Sequence, residues 1–282
     1  MRRWLLLLPL LALAAAIPRG VRAAAAPDPA ADRAAFQGWF RHLFPKLPLA
    51  DYVNGPYNFS ASERAQWREI MQLPPYDFAI ARGKKLFDTK FPDGAGYASC
   101  FPHGGIGIAQ DYPQFDPKTG RVVTLPIAIN RCRVAHGLGK LKLTTGDMAD
   151  IDAYMVRTSR GRKIDVTVPD TKPALAAYEA GKEYFYSRRG QLNFSCASCH
   201  LQYPGHRVRG DTLAPALGIT ASFPIYRSKW GNMGTLVRRF IGCNKNIRSA
   251  PDKPDSLAYR DLEYFLTAMS NGLPIAGPGA RP

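Results

Sequence analysis

Ala177-Tyr178-Glu179-Ala180-Gly181-Lys182-Glu183-Tyr184-Phe185, followed fifteen residues after Gly181 by Cys196-Ala197-Ser198-Cys199-His200, is the stretch that decides the fold. Its first part spaces apolar residues three and four apart, the period of a helix with one buried face. Its second part is a Cys-x-x-Cys-His run. Two thiols at that spacing add across the vinyl groups of a haem to give thioethers, and the adjacent histidine meets the iron. A redox dithiol or half of a zinc site is disfavoured by the histidine and by the helix that precedes it. The motif predicts one covalently attached haem c, anchored by Cys196 and Cys199, with His200 as an axial iron ligand.

An earlier stretch repeats the pattern. Ala79-Ile80-Ala81-Arg82-Gly83-Lys84-Lys85-Leu86-Phe87 has the same helical spacing and reaches Cys100 seventeen residues after Gly83. Each half then closes on an amphipathic segment, Met148 to Val156 in the first and Leu257 to Met269 in the second. Helix, cysteine site, long loops and closing helix is the order of a small cytochrome c domain. The expectation is a mainly α protein of two tandem cytochrome c-like domains, residues 24–165 and 166–282. In the first, Cys100-Phe101-Pro102-His103 lacks one cysteine of the pair and the spacing of a haem motif, so that domain is predicted to carry no haem. Cys100 and Cys132 are then free to form a disulfide, which by closing a loop of about 32 residues adds roughly 3–4 kcal/mol. Two unpaired buried thiols are the alternative. The polar segment from Thr158 to Lys172 suits a linker, and the Gly- and Pro-dense stretch 94–133 suits loops. Residues 24–31 and 274–282 read as loose ends.

The chain begins with Arg2-Arg3, an apolar run from Leu5 to Ala16, and Val21-Arg22-Ala23, the layout of a cleaved export signal over residues 1–23. The apolar run falls short of the roughly 20 residues of a bilayer span, and no later stretch is apolar enough for one. This predicts a mature protein without a membrane anchor in an oxidising, periplasmic compartment, where cysteines pair or bind something. The 282 residues carry a net charge of +16, and removing residues 1–23 with their four arginines leaves about +12. So basic a protein meets an anionic partner or substrate. Export argues against nucleic acid and leaves an acidic protein or a small dianion.

The second axial position of the iron has three candidates after His200: His206, Met233 and Cys243. Methionine is the commonest choice in small electron carriers, so a plain electron-transfer cytochrome is one reading. Cys243 ends the stretch Thr235-Leu236-Val237-Arg238-Arg239-Phe240-Ile241-Gly242-Cys243, whose spacing predicts a helix with Leu236, Val237, Phe240 and Ile241 inward. Arg239 and Cys243, four apart, are neighbours on one face. A cation beside a thiol favours thiolate, the form that binds metal and attacks sulfur. A buried structural cysteine with a solvated arginine pair fits the same spacing. His42, His103, His136 and His206 read as surface or packing residues.

Beyond spacing, particular residues carry a family likeness. Phe223-Pro224-Ile225-Tyr226-Arg227-Ser228-Lys229-Trp230, then Gly234 through Phe240 to Cys243-Asn244, resembles the SoxA subunits of thiosulfate-oxidising SoxAX cytochrome complexes. Cys100-Phe101-Pro102 and Ile129-Asn130-Arg131-Cys132-Arg133 are similar to that family too, so the likeness covers nearly the whole mature chain. It implies the single-haem branch, in which the two leftover cysteines, here Cys100 and Cys132, are paired. It implies an L-cysteine S-thiosulfotransferase that oxidatively joins thiosulfate to a cysteine of the SoxYZ carrier protein. Cys243 would be the active-site cysteine, found as a persulfide and also an iron ligand, and Arg239 the substrate-binding arginine. Arg238, Lys245 and Arg248 stand near enough in sequence to offset the dianion's charge. Joining two reduced sulfurs releases two electrons, more than one haem holds, and the resemblance implies a SoxX cytochrome as heterodimer partner.

Overall fold

The computed structural model describes residues 26–281, so the export signal read over residues 1–23 lies outside them. The helices follow the apolar spacing. In chain order they begin with α1 (Pro29–Leu43), α2 (Ala61–Ile70) and α3 (Tyr76–Asp88). The short strands β1 (Gln114–Asp116) and β2 (Arg121–Val123) lead into α4 (Leu125–Ala135) and α5 (Asp147–Arg157). Next come α6 (Lys172–Tyr186), α7 (Cys196–His200), and the small hairpin of β3 (Arg207–Val208) and β4 (Asp211–Thr212). Strands β5 (Ile225–Arg227) and β6 (Asn232–Gly234), helices α8 (Leu236–Asn246) and α9 (Leu257–Met269), and strand β7 (Gly279–Arg281) complete the chain. The fold is mainly α. Among the described residues no helix is long and apolar enough to cross a membrane.

The two halves use one construction twice. α3 buries Tyr76, Ala79, Gly83 and Phe87 against α5, and α6 buries Ala174, Tyr178, Gly181 and Phe185 against α9. At each crossing the backbones touch through a glycine. A Cβ on Gly83 would lie 1.9 Å from the Asp150 carbonyl oxygen, and one on Gly181 would lie 1.9 Å from that of Asp261. Only a residue without a side chain permits that approach. An antiparallel strand pair precedes the next helix in both halves, with Phe115 opposite Val122 and Tyr226 opposite Met233. Thr124 then immediately precedes α4 and Thr235 immediately precedes α8. Cys132 stands eight residues after the first threonine and Cys243 eight after the second. In the first half Cys132 is bonded to Cys100, with an S–S distance of 1.99 Å.

Three segments differ from their sequence reading. The stretch taken as a loose start becomes α1 from Pro29, capped by Asp28, whose Oδ1 accepts from the backbone N–H groups of Ala30 and Ala31 (3.0 and 2.9 Å). α1 lies against the second half. Phe36 meets Phe185 and Phe265 edge-on at 6.0 and 6.2 Å, and the Gln37 amide donates to the Met269 and Asn271 carbonyls. The tail read as frayed contains β7, which pairs in parallel with β5 and buries Ala280. The segment read as a linker is tied to that tail, with Gly161 and Ile164 N–H groups donating to the Ile275 and Leu273 carbonyls (2.8 Å each). All three depend on pairing with residues far along the chain, which local composition does not register.

The candidate haem and thiol site

Helix α7 is five residues long and is held by its cap. Ser195 Oγ accepts from the Ser198 N–H and Ser198 Oγ accepts from the Ser195 N–H, both at 3.1 Å. That reciprocal box fixes the first turn, so Cys196 and Cys199, three apart, share one side of it. Backbone bonds between Arg189 and Phe194 close the loop before it, and the Arg189 guanidinium sits 3.7 Å over the Tyr184 ring with Nη1 3.9 Å from Cys196 Sγ. His200 Nδ1 lies 2.7 Å from the Ala214 carbonyl oxygen. A carbonyl only accepts, so Nδ1 carries the proton and Nε2 is left with a free lone pair. This is the orientation that metal-ligating histidines adopt.

Helix α8 brings Arg239 and Cys243 to the same place. Its buried face is Leu236, Val237, Phe240 and Asn244. Asn244 anchors it by donating to the Phe240 carbonyl (3.0 Å) and to the hydroxyls of Tyr259 and Tyr184 (3.1 Å each). The three free thiols feel one another but differ in charge environment. Burial pushes Cys196 up to about 11, with Cys243 adding and Arg189 opposing, and burial followed by Cys243 raises Cys199. Burial also raises Cys243, but Arg239, the His200 imidazole and Arg227 outweigh it and bring the thiol down to about 7. Cys243 is the thiol of the three that is poised as thiolate near neutral pH.

These residues fit a covalent haem. Two thiols lie on one short helix, an imidazole has its Nε2 free, and a third sulfur stands within electrostatic reach of that imidazole. Leu192, Phe194 and Tyr203, which flank the motif in the chain, are exposed, an apolar rim for a porphyrin to cover. Met233 is committed elsewhere. It is buried among Tyr76, Ala79, Ala149, Ala153 and Ala280, between the halves. His206 is exposed on the hairpin with its ring edge-on to Tyr203. Among the basic residues near Cys243 in sequence, Lys245 and Arg248 are exposed. Arg238 donates to Asn232 Oδ1 (2.5 Å) and the Met233 carbonyl and stacks 4.2 Å over Trp230, so it braces the corner between β6 and α8. His136 is a packing residue, with Nδ1 2.6 Å from Asp93 and its ring against Phe91.

Sequence reasoning passed over Arg227. It ends β5, is 6 % exposed, and with Arg239 and Lys229 surrounds Asp211, whose carboxyl they hold down against the effect of burial. The signal available was a cation in a short alternating strand, Ile225-Tyr226-Arg227, where period two puts Arg227 on the same buried face as Ile225.

Comparison with known proteins agrees with this construction. A family model described as SoxA/TsdA, cytochrome c domain, matches residues 82–164. The L-cysteine S-thiosulfotransferase subunit SoxA of Allochromatium vinosum is 48% identical over 277 residues, 98% of either chain. That of Chlorobaculum tepidum is 49% identical over 251 residues, 89% of this chain and 87% of its own. The crystal structure of SoxXA from P. pantotrophus contains a chain 30% identical to this one, with a TM-score of 0.70 over 77% of this chain and 84% of that one. With near-half identity sustained from end to end and the same fold in a solved relative, the chain belongs to the SoxA family of L-cysteine S-thiosulfotransferase subunits.

Proposed function

We propose that this chain is the catalytic subunit of a periplasmic heterodimer that oxidatively joins thiosulfate to a cysteine of the SoxYZ carrier protein. The observation that carries the reading is Cys243, a thiol brought down to about 7 by Arg239, His200 and Arg227 while its two neighbours are raised. Thiosulfate is a dianion, and Arg239 one turn before Cys243 binds and orients it. Cys243, as a persulfide, would carry the intact thiosulfate group on its outer sulfur after two electrons are removed and pass it to the carrier thiolate, regenerating the persulfide, which splits the transfer into two steps. Cys196 and Cys199 would hold a single haem, with His200 and Cys243 as the residues that would ligate its iron. The sum is one thiosulfate and one carrier thiol giving an S-thiosulfonate, one proton and two electrons. A bound haem supplies a one-electron acceptor beside the thiol, so the second electron calls for a SoxX-type cytochrome partner.

The test combines mass and spectrum. The Cys243 peptide of active, freshly purified protein should carry the mass of one extra sulfur atom, and Cys243→Ala should abolish turnover. Ferric EPR should give a low-spin thiolate or persulfide signature, and Met233→Leu should leave it unchanged. Iron held by Met233 or His206, with an unmodified Cys243, would reduce the protein to an electron shuttle.

A further inference from the structure

Arg227 presents an unsolved problem in the molecule's own terms. It is 6 % exposed, yet its Nε has no hydrogen-bond partner among the described residues. Of its remaining donors, Nη2 lies 3.4 Å from Asp211 Oδ1, long for a bond between charged groups. Buried polar groups in folded proteins are almost always satisfied, and an exception needs an explanation. Flexibility is not one. β5 is the middle strand of its sheet, with Arg227 registered opposite Asn232 on one side and Arg281 on the other, and the guanidinium lies 5.6 Å over Trp230. The side chain is fixed, buried and short of an acceptor.

The surroundings say which acceptor is missing. Arg227 comes from the sheet and Arg239 from α8. The Trp230 ring lies under both the Arg227 and the Arg238 guanidinium, at 5.6 and 4.2 Å, which sets Arg227 against the start of α8, where it and Arg239 repel one another and act together on Asp211. The carboxylate between them, Asp211, is half exposed and is already shared with Lys229 at 3.1 Å. Three cations therefore face one carboxylate, and a small dianion would balance them. We propose that Arg227 is a second substrate-binding arginine, which receives the sulfonate oxygens of thiosulfate on the side away from Arg239. The proposal rests on the thiosulfate reading of this site. Its consequence is selectivity: the pair recognises a sulfonate-bearing sulfur donor and leaves a donor without oxygens weakly held.

The experiment uses the haem-loaded complex with its cytochrome partner and measures KM and kcat for thiosulfate, together with the thermal shift that thiosulfate induces. Arg227→Gln should raise KM by about tenfold or more, the worth of one charge-assisted hydrogen bond. Arg227→Lys keeps a cation but loses the planar fork, so KM should rise by a smaller factor. It also serves if the glutamine variant fails to fold. Asp211→Asn separates a binding arginine from a structural ion pair. If Asp211 merely competes with the substrate, its removal leaves KM unchanged or lower, whereas a structural pair would make Asp211→Asn mimic Arg227→Gln. An unchanged KM in either arginine variant, or matching defects in Asp211→Asn and Arg227→Gln, overturns the assignment. If thiosulfate neither shifts nor turns over with the unaltered complex, the thiosulfate reading itself has failed.

Discussion

The sharpest energetic consequence lies away from the thiols, where the halves meet. A cavity of about 70 Å³ is lined by residues from both halves, among them Thr124 and Thr235, Leu125 and Leu236, and the carboxyls of Asp152 on α5 and Glu263 on α9. Burial alone raises Asp152 to about 7, and burial with Asp152 as neighbour raises Glu263 to about 8. Because both folded values lie above the unfolded ones, the native state binds more protons over that interval. Stability is therefore fully present in acid, falls as pH rises from about 4, and stops falling above about 8. For Asp152, 5 % exposed, the move from 3.8 to about 7 corresponds to on the order of 4 kcal/mol at about 1.4 kcal/mol per pH unit. Asp152→Asn removes that ionisation. In haem-loaded protein its melting temperature should approach that of the unaltered chain near pH 4, the gap should open steadily above it, and the variant should exceed the unaltered chain by on the order of 10 °C near pH 9. Glu263→Gln should behave alike, and the double variant should gain less than the sum, since Asp152 accounts for part of the rise at Glu263. Calorimetric melts between pH 4 and 9 measure the gap. Parallel curves would refute the reasoning, because they would mean that water or a counter-ion already neutralises the pair.

Other consequences follow from the crossings and the sulfurs. Gly181→Ala sets a methyl 1.9 Å from the Asp261 carbonyl oxygen, so α6 and α9 must part; the yield of soluble, haem-loaded protein should collapse. Cys132→Ser should lower stability by roughly 3–4 kcal/mol, read as a drop in the denaturation midpoint with an unchanged visible spectrum. Asn244→Ala leaves buried tyrosine hydroxyls short of a donor and should cost about 1–3 kcal/mol, measured in the same titration. In haem-free chain, alkylation followed by peptide mass should label Cys243 ahead of Cys196, its rate rising through about pH 7, while Cys196 waits for about 11. Equal labelling of the two would contradict the charge environment assigned to Cys243.

What the sequence made legible was local. Apolar residues three and four apart marked α3, α5, α6 and α9, because a helix with one buried face imposes that period whatever it packs against. Cys196, Cys199 and His200 stood out as a group because haem attachment would fix their spacing, and the shared face of Arg239 and Cys243 because four residues is one helical turn, while the roles proposed for that pair came from the family resemblance. What escaped was set by distant partners. Gly279–Arg281 looked like a frayed end because its partner, β5, lies some fifty residues earlier in the chain. Arg227 looked like one more surface cation, and only the sheet reveals that it is buried. Asp152 and Glu263 sat on their helices as ordinary polar positions, and nothing within either half says that the other half covers them.

The sulfurs tie the two halves into one physical account. In each half a cysteine stands eight residues into the helix that follows the strand pair, Cys132 on α4 and Cys243 on α8, and another follows the first helix, Cys100 and Cys196. In the first half these two stations are joined directly as a disulfide. On the proposed ligation, the second half joins the same stations through a macrocycle and its iron. Either link fastens the region after the first helix of its half to a later helix, α4 or α8, and either removes the same kind of chain entropy. The difference lies in what remains free. Cys132 has given its sulfur to Cys100, and the residue four before it is Ala128. Cys243 keeps a sulfur able to exchange, and the residue four before it is Arg239, with Arg227 converging from the sheet. An inert half therefore needs only the disulfide. A reactive half needs a thiol that is both held and charged, and that combination requires cations that the first half lacks at the matching position.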